Sequence, residues 1–493
     1  MGGFLSGFLL YLYDYVKMKD MKRVLATLLI LMAMCFSAGA ELALRNPCAD
    51  NMVLQQQTEA VVWGFARPGA TVSVSPSWGG SCSAKTGSDG CWQVRLKTPA
   101  ASFTNHSIRV AGDGANIIIH NVLVGEVWFA SGQSNMQMPL SGWPSCPIKD
   151  CNEVLSAPAQ PDLVRMFNIS MDESLEPVRE AEGKWLKDVP SERDEMSATA
   201  YFFARKIASA LGVPVGIVNC SYGGTMLECW ASKELCASWG LPVDDESIMA
   251  RSSCDRQSTR YNKMLAPCIG YTVKGFLWYQ GCSNVGRCEH YAERFADMIA
   301  HWRQSWGLGE IPVYLVEIAP FVYGGNNSQY LREQQWLSAQ LTPSCAVVPT
   351  NDLVYEYETF NIHPSNKQEV GARLAWLALN RDYGMNGIKC YAPTVQSVFR
   401  SRPGEIALKL ENARNGFLRT RGIEGLEVAG PDGTFLPVKA FRFDADSQTM
   451  YIRSEIVPDP VCVRYCWGDW VIGNIIGCDG LPLQTFCRAI DNE

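Results

Sequence analysis

The chain has 493 residues, 47% of them hydrophobic and 19% charged, which is enough to bury large cores and excludes a disordered or fibrous protein. Its net charge of −7, with lysines and arginines scattered along the chain, excludes the basic footprint of a nucleic-acid or anionic-membrane binder, so a small neutral or acidic solute is the expected partner. Two or three domains are expected at this length.

Met21-Lys-Arg23, the apolar run to Cys35 and Ser37-Ala-Gly-Ala40 form the three regions of a secretory signal. Cleavage is expected before Glu41, the mature chain is expected to be secreted or periplasmic, and residues 1–20 read as an upstream extension. A lipid anchor at Cys35 would need a small residue where Met34 stands. Of 19 cysteines, Cys35 falls in the signal, and export favours disulfides among the rest. Close pairs are Cys82 with Cys91, Cys146 with Cys151, Cys282 with Cys288, and Cys478 with Cys487; free buried thiols are the alternative. Cys282, Cys288 and His290 show only one end of a zinc motif, so no metal is expected. No later stretch has the length and apolarity to span a bilayer.

Between 41 and 121, alternating segments at Ala60–Gly64, Ala70–Val74 and Trp92–Leu96 are broken by Pro-Gly, Gly-Gly and Asp-Gly turns, which predicts a β-sandwich-like domain. His106 and His120 read as structural or solvent-facing there. From 122 to 390, strands alternate with helical segments, the pattern of a parallel sheet covered by helices. The predicted strands Val213–Val218, Val273–Tyr279, Ile311–Glu317 and Cys345–Pro349 each run into a small or polar loop, and helices are predicted over Glu195–Leu211, His290–Trp306 and Asn366–Leu379. Such strand ends are where α/β proteins place ligands. Residues 391–493 return to short strands, as in Glu405–Leu410, Leu426–Ala429 and Thr449–Arg453, and form a C-terminal β region expected to pack against the core.

The apolar run Gly125–Ala130 stops at Ser131-Gly-Gln-Ser-Asn-Met136. Ser134 reads as a nucleophile, which needs a base and donors for an oxyanion. The position two after it is Met136, so this is not the Gly-x-Ser-x-Gly elbow. His290 and His301 lie in a charged helical stretch and read as solvated; His363, in a loop entering a helix, reads as the base.

Gly132-Gln-Ser-Asn-Met136 resembles the SGNH hydrolases and, within that clan, the sialate O-acetylesterase family. Tyr222–Trp230, Trp278–Asn284, Asp352-Leu353 and Ile362–Gln368 with Gly371, Arg373 and Leu374 match the same family in order. The resemblance implies an α/β fold, with a three-layer parallel-sheet SGNH core between the flanking N- and C-terminal β domains. It also implies a serine-type carboxylic ester hydrolase without cofactor, acting on an O-acetylated sugar. Ser134 would attack, His363 would take the proton, and the N–H groups of Ser134 and Gly224 with the Asn284 amide would hold the oxyanion. O-acetylated sialic acid is the implied substrate; acetylxylan or another polysaccharide is an alternative, and a non-catalytic glycan-binding protein another.

Two departures from the family pattern stand out. The clan's acid position three residues before the histidine holds Phe360, so the imidazole is oriented either by Asp352 or by a backbone carbonyl. On the first alternative, Asp352→Asn should lower kcat at least about a hundredfold with little change in KM. Cys282 replaces a family glutamate, and a Cys282–Cys288 bridge is one way to fill its structural role. Trp128, Trp143, Tyr222, Trp230, Trp278 and Tyr279 stand near the motifs as core or sugar-facing aromatics, and Arg260 and Arg287 as partners for a sugar carboxylate or as surface charge.

Overall fold

The computed structural model describes residues 41–325 and 327–490, so the expected extension and signal peptide lie outside the described residues. The elements that position the site are, in chain order, β1 (Ala115–Gly132), β2 (Val164–Ile169), β3 (Gly183–Lys187), α1 (Ala198–Leu211), β4 (Val215–Ser221), β5 (Gly275–Tyr279), α2 (Tyr291–Trp306), β6 (Val313–Val316), α3 (Ser328–Leu341), β7 (Cys345–Val348) and α4 (Lys367–Arg381). These strands lie in the order β3-β2-β4-β1-β5-β6-β7, parallel throughout except for β3, which runs antiparallel to β2.

Strands buried on both faces need apolar residues at consecutive positions, and β4 and β5 are buried along their whole length. Alternate residues of β1 point to opposite layers. Trp128 meets Phe203 of α1 and Tyr314 of β6, at centroid distances of 5.1 and 5.8 Å. Phe129 turns the other way, onto Trp302 and Trp306 of α2 at 6.3 and 5.2 Å. Helices α1 and α4 pack together, as do α2 and α3, so the sheet is covered on both faces. Burying each large apolar side chain contributes about 1.5–3 kcal/mol. Helix α1 is capped by the Ser197 side chain, which accepts from Ala200 N–H, and ends at Gly212 in the left-handed region.

The described chain divides into two compact units. One comprises residues 41–44, Trp63–Val94 and Arg109–Ile118; its strands are short and antiparallel, as Thr71–Pro76 is with Cys82–Lys85, and alternate between buried and exposed residues. The other holds Arg45–Val62, Arg95–Ile108 and everything from Ile119, so its boundary is not a single cut at 121. Two four-stranded antiparallel sheets formed after residue 393 belong to this second unit. They are tied to the α/β core: Asn351 Nδ2 donates to Leu483 O at 2.9 Å, and Asp469 Oδ1 accepts from Ser328 N–H at 2.7 Å. Among the described residues, no helix is long and apolar enough to cross a membrane.

Candidate active site

Strand β1 ends at Gly132, and Ser134 opens a one-turn helix, Ser134–Gln137. Gln133 and Asn135 on either side are buried, while Ser134 is half-buried. The turn is anchored from below, with Thr199 Oγ1 donating to Asn135 O at 3.0 Å and Ser197 Oγ to Met136 O at 2.5 Å. The chain after β4 passes beside it: a methyl placed on Gly223 would lie 3.4 Å from Ser134 Cβ, and Gly223 N–H donates to Gln137 Oε1 at 2.7 Å. Gly224 follows with a φ of 75°. The N–H groups of Ser134 and Gly224 have no hydrogen-bond acceptor among the described residues, as an oxyanion site requires.

Strand β5 leads to Asn284, the expected third donor. Asn284 Oδ1 accepts from Gln280 Nε2 at 2.7 Å and Leu227 N–H at 3.1 Å, which fixes the amide orientation. Its Nδ2 donates to Glu228 Oε2 at 3.2 Å, leaving a second N–H. Glu228 is in turn paired with Arg294 at 2.7 Å. Ser283 Oγ donates to Gly224 O at 2.6 Å, and Gly281 N–H to Gln133 Oε1 at 2.8 Å, so the three loops are joined.

The loop that carries His363 is tied to Ser134's turn through Asn135. Asn135, next to Ser134, donates from Nδ2 to Ile362 O at 3.0 Å and accepts from Lys367 Nζ at 2.5 Å. Lys367 also donates to Pro364 O at 2.8 Å and lies 5.6 Å from the Tyr279 ring centroid. Burial lowers this lysine from its ordinary range to about 7. Burial, and then the Lys367 charge, lowers His363 to about 4, so its imidazole is neutral at pH 7. Its Nδ1 is 3.6 Å from Cys146 Sγ, and Trp143 packs edge-on against the ring at 5.1 Å.

Asp352 is placed elsewhere. Its carboxylate binds Arg373 through two bonds of 2.7 and 2.8 Å and makes no hydrogen bond to His363 among the described residues. Burial pushes Tyr465 and Cys466 in the C-terminal region upward, and the Asp352 charge adds the smallest part of that push. The bond from Asp352 to the imidazole, one of the two expected alternatives, is not seen among the described residues, where Arg373 holds the carboxylate. Phe360, 84% exposed, does not take that role either.

The close cysteine pairs are not bridged: Cys82, Cys146, Cys151, Cys282, Cys288, Cys478 and Cys487 are all reduced thiols. Cys282 Sγ lies 4.0 Å from Asn135 Nδ2 and contacts Tyr323, rather than bonding to Cys288. Cys462 and Cys487, a pair not singled out from spacing, have sulfurs 3.7 Å apart. No three His, Cys, Asp or Glu side chains among the described residues converge as a metal site. Arg260 is fully buried, stacked on the Tyr222 ring at 4.1 Å and paired with Glu173, so it offers nothing to a sugar carboxylate. Arg287 is paired with Asp255 at 3.0 Å. His301, expected on a solvated face, is half-buried with Nε2 3.1 Å from Tyr261 Oη. Of the six aromatics, Trp128, Trp230, Trp278 and Tyr279 are core, and Trp143 and Tyr222 are half-buried beside the site.

Asn135, Cys146, Glu228, Gln280 and Lys367 had not been assigned site roles from sequence; all but Cys146 stood inside matching motifs, and Cys146 was singled out only as a close neighbour of Cys151. The family of carbohydrate esterases described as sialic acid-specific acetylesterases matches residues 124–380, over half the chain and the whole of this site. The chain belongs to this family. Like the family, it is an esterase acting on acetylated carbohydrate. Mouse sialate O-acetylesterase is 27% identical over 518 aligned positions, covering 90% of this chain and 92% of the mouse protein. The human enzyme is likewise 27% identical, over 88% and 89% of the two chains. A carbohydrate acetylesterase from Xanthomonas citri superposes with a TM-score of 0.80 at 31% identity, covering 91% of this chain and 99% of the other.

Proposed function

We propose that this esterase, on an SGNH-type core, removes acetyl groups from O-acetylated sialic acid through a serine acyl-enzyme, and that it does so after export. Ser134 Oγ attacks the acetyl carbonyl carbon while His363 Nε2 takes the hydroxyl proton. The N–H groups of Ser134 and Gly224 and the free N–H of Asn284 Nδ2 receive the oxyanion. The C–O bond to the sugar then breaks, and the imidazolium gives its proton to the departing sugar oxygen. Water attacks the acetyl-serine by the same route, releases acetate and restores Ser134. The observation that carries this reading is the Asn135 bridge, whose two side-chain bonds join the residue after Ser134 to the turn that holds His363. Trp143 and Tyr222 supply apolar faces for the sugar. The substrate class follows that of the mouse and human relatives, which are sialate O-acetylesterases.

The test is to assay the purified mature chain against O-acetylated sialic acids, acetylxylan and a chromogenic acetate ester. Sialic acid should be preferred, and Ser134→Ala and His363→Ala should each abolish turnover without changing thermal unfolding. Residual activity within about tenfold of wild type would remove that residue from the mechanism, while preference for acetylxylan would keep the chemistry and replace the sugar. Exported protein should begin near Glu41; retention of Met1 or Met21 would count against export.

A further inference from the structure

We infer that the turn Trp143–Cys146 positions the imidazole of His363, with the Cys146 thiol standing where a Ser-His-Asp triad has its carboxylate. This rests on the Ser134–His363 chemistry proposed above. The backbone of the turn is closed by reciprocal bonds, Trp143 N–H to Cys146 O and Cys146 N–H to Trp143 O, both 2.9 Å. Its entry needs Gly142, whose φ is 71° and where an added methyl would lie 2.8 Å from Cys146 O. The turn touches the imidazole twice, through the edge-on Trp143 ring and through Cys146 Sγ.

The hydrogen-bond directions follow from the partners. Asn361 Oδ1 accepts from the His363 backbone N–H at 3.0 Å, which fixes that amide with its oxygen inward. Cys146 Sγ lies 3.2 Å from the same oxygen. An amide oxygen only accepts, so the thiol proton points to Asn361, and the sulfur lone pairs face Nδ1. Nδ1 then carries the imidazole hydrogen, and Nε2 is left bare to take a proton from a serine. A neutral thiol accepts weakly and brings no charge. Its contribution is to ring orientation and tautomer, and its loss should cost far less than the roughly 10⁴-fold seen when a triad aspartate is replaced.

The test is steady-state kinetics on the mature chain with a chromogenic acetate ester, together with ¹⁵N spectra of histidine-labelled protein, His363 being assigned from the spectrum of His363→Ala. Cys146→Ala should lower kcat about tenfold or more with KM within about twofold, and Cys146→Ser, which keeps an acceptor, should recover to within about threefold of wild type. The wild type should show the Nδ1–H tautomer, and Cys146→Ala a mixture. Should alanine lower the thermal midpoint, Cys146→Val against Cys146→Ser decides, because both fill the space and only serine can accept. Wild-type kcat and tautomer in the alanine or valine variant, with Ser134→Ala and His363→Ala inactive, would overturn the inference. Activity surviving in Ser134→Ala or His363→Ala would instead overturn the reaction on which it rests.

Discussion

The two walls of the site are built on opposite electrostatic plans. On the side proposed to hold the oxyanion, Asn284 is oriented by Gln280 and Leu227, and the chain of bonds runs through Glu228 to the balancing charge of Arg294. On the base side, the charged neighbour of His363 is the buried Lys367, and no carboxylate among the described residues bonds to the imidazole. The contrast shows what each role demands. A donor that must meet a developing negative charge is best held rigid with its own surroundings neutralised. A base that must be unprotonated is served by a nearby cation, which disfavours the imidazolium before substrate arrives.

Removing a donor from the first wall should produce the largest effect. Asn284→Ala is expected to lower kcat about 10²–10³-fold, roughly 2.7–4 kcal/mol of barrier, with a smaller change in KM. A loss confined to KM would take Asn284 out of the oxyanion site. Disturbing the second wall should act chiefly on pH dependence. His363 must be neutral to accept a proton, so with its pKa lowered to about 4 the acid limb of kcat/KM should fall near that pH rather than near 6.5. Across this range Lys367, itself lowered to about 7, is still charged, and Cys146, pushed up by burial, is neutral. Lys367→Met removes the cation, the imidazolium becomes easier to form, and the acid limb should move to higher pH. An unmoved limb would show that burial alone sets the base.

The smallest effect on turnover is expected at Asp352. Because its carboxylate serves Arg373, Asp352→Asn should leave kcat within about threefold of wild type while lowering the thermal midpoint, since the nearly buried guanidinium loses the closer of its two counter-charges and keeps only Glu369. A hundredfold fall in kcat without loss of stability would restore Asp352 to the imidazole.

Elements with strong apolar patterning were legible in the sequence. The strands Leu426–Ala429 and Thr449–Arg453 occur at the expected residues, and α1, α2 and α4 begin within three residues of their predicted starts. Helix α3 was not legible, and its inner face explains why. Gln329, Arg332, Gln335 and Ser338 are buried there, so the periodic apolar stripe that announces a helix is missing. Strand β2 was hidden in a similar way by Arg165, buried within it and bonded to Asn121 O. At the site, Ser134, Gly224, Asn284 and His363 lie at strand and helix ends that patterning locates. Asp352 could not be resolved, since an aspartate near a motif looks the same whether it serves a histidine or an arginine. Cys146 was illegible because a turn more than two hundred residues away meets His363 only through the fold.

Buried polar helix α3 also bears on the order in which the protein can be completed during synthesis. Arg332, fully buried, donates to Cys466 O at 3.2 Å and to Gly468 O, and the start of its helix is held by Asp469. Those acceptors leave the ribosome more than a hundred residues after the arginine. Until they arrive, docking α3 would seal a guanidinium away from water without acceptors, at a cost that opposes the step. The sheet edge beside β7 therefore closes late, and a nascent or truncated chain ending near residue 390 holds its catalytic segments without a finished core.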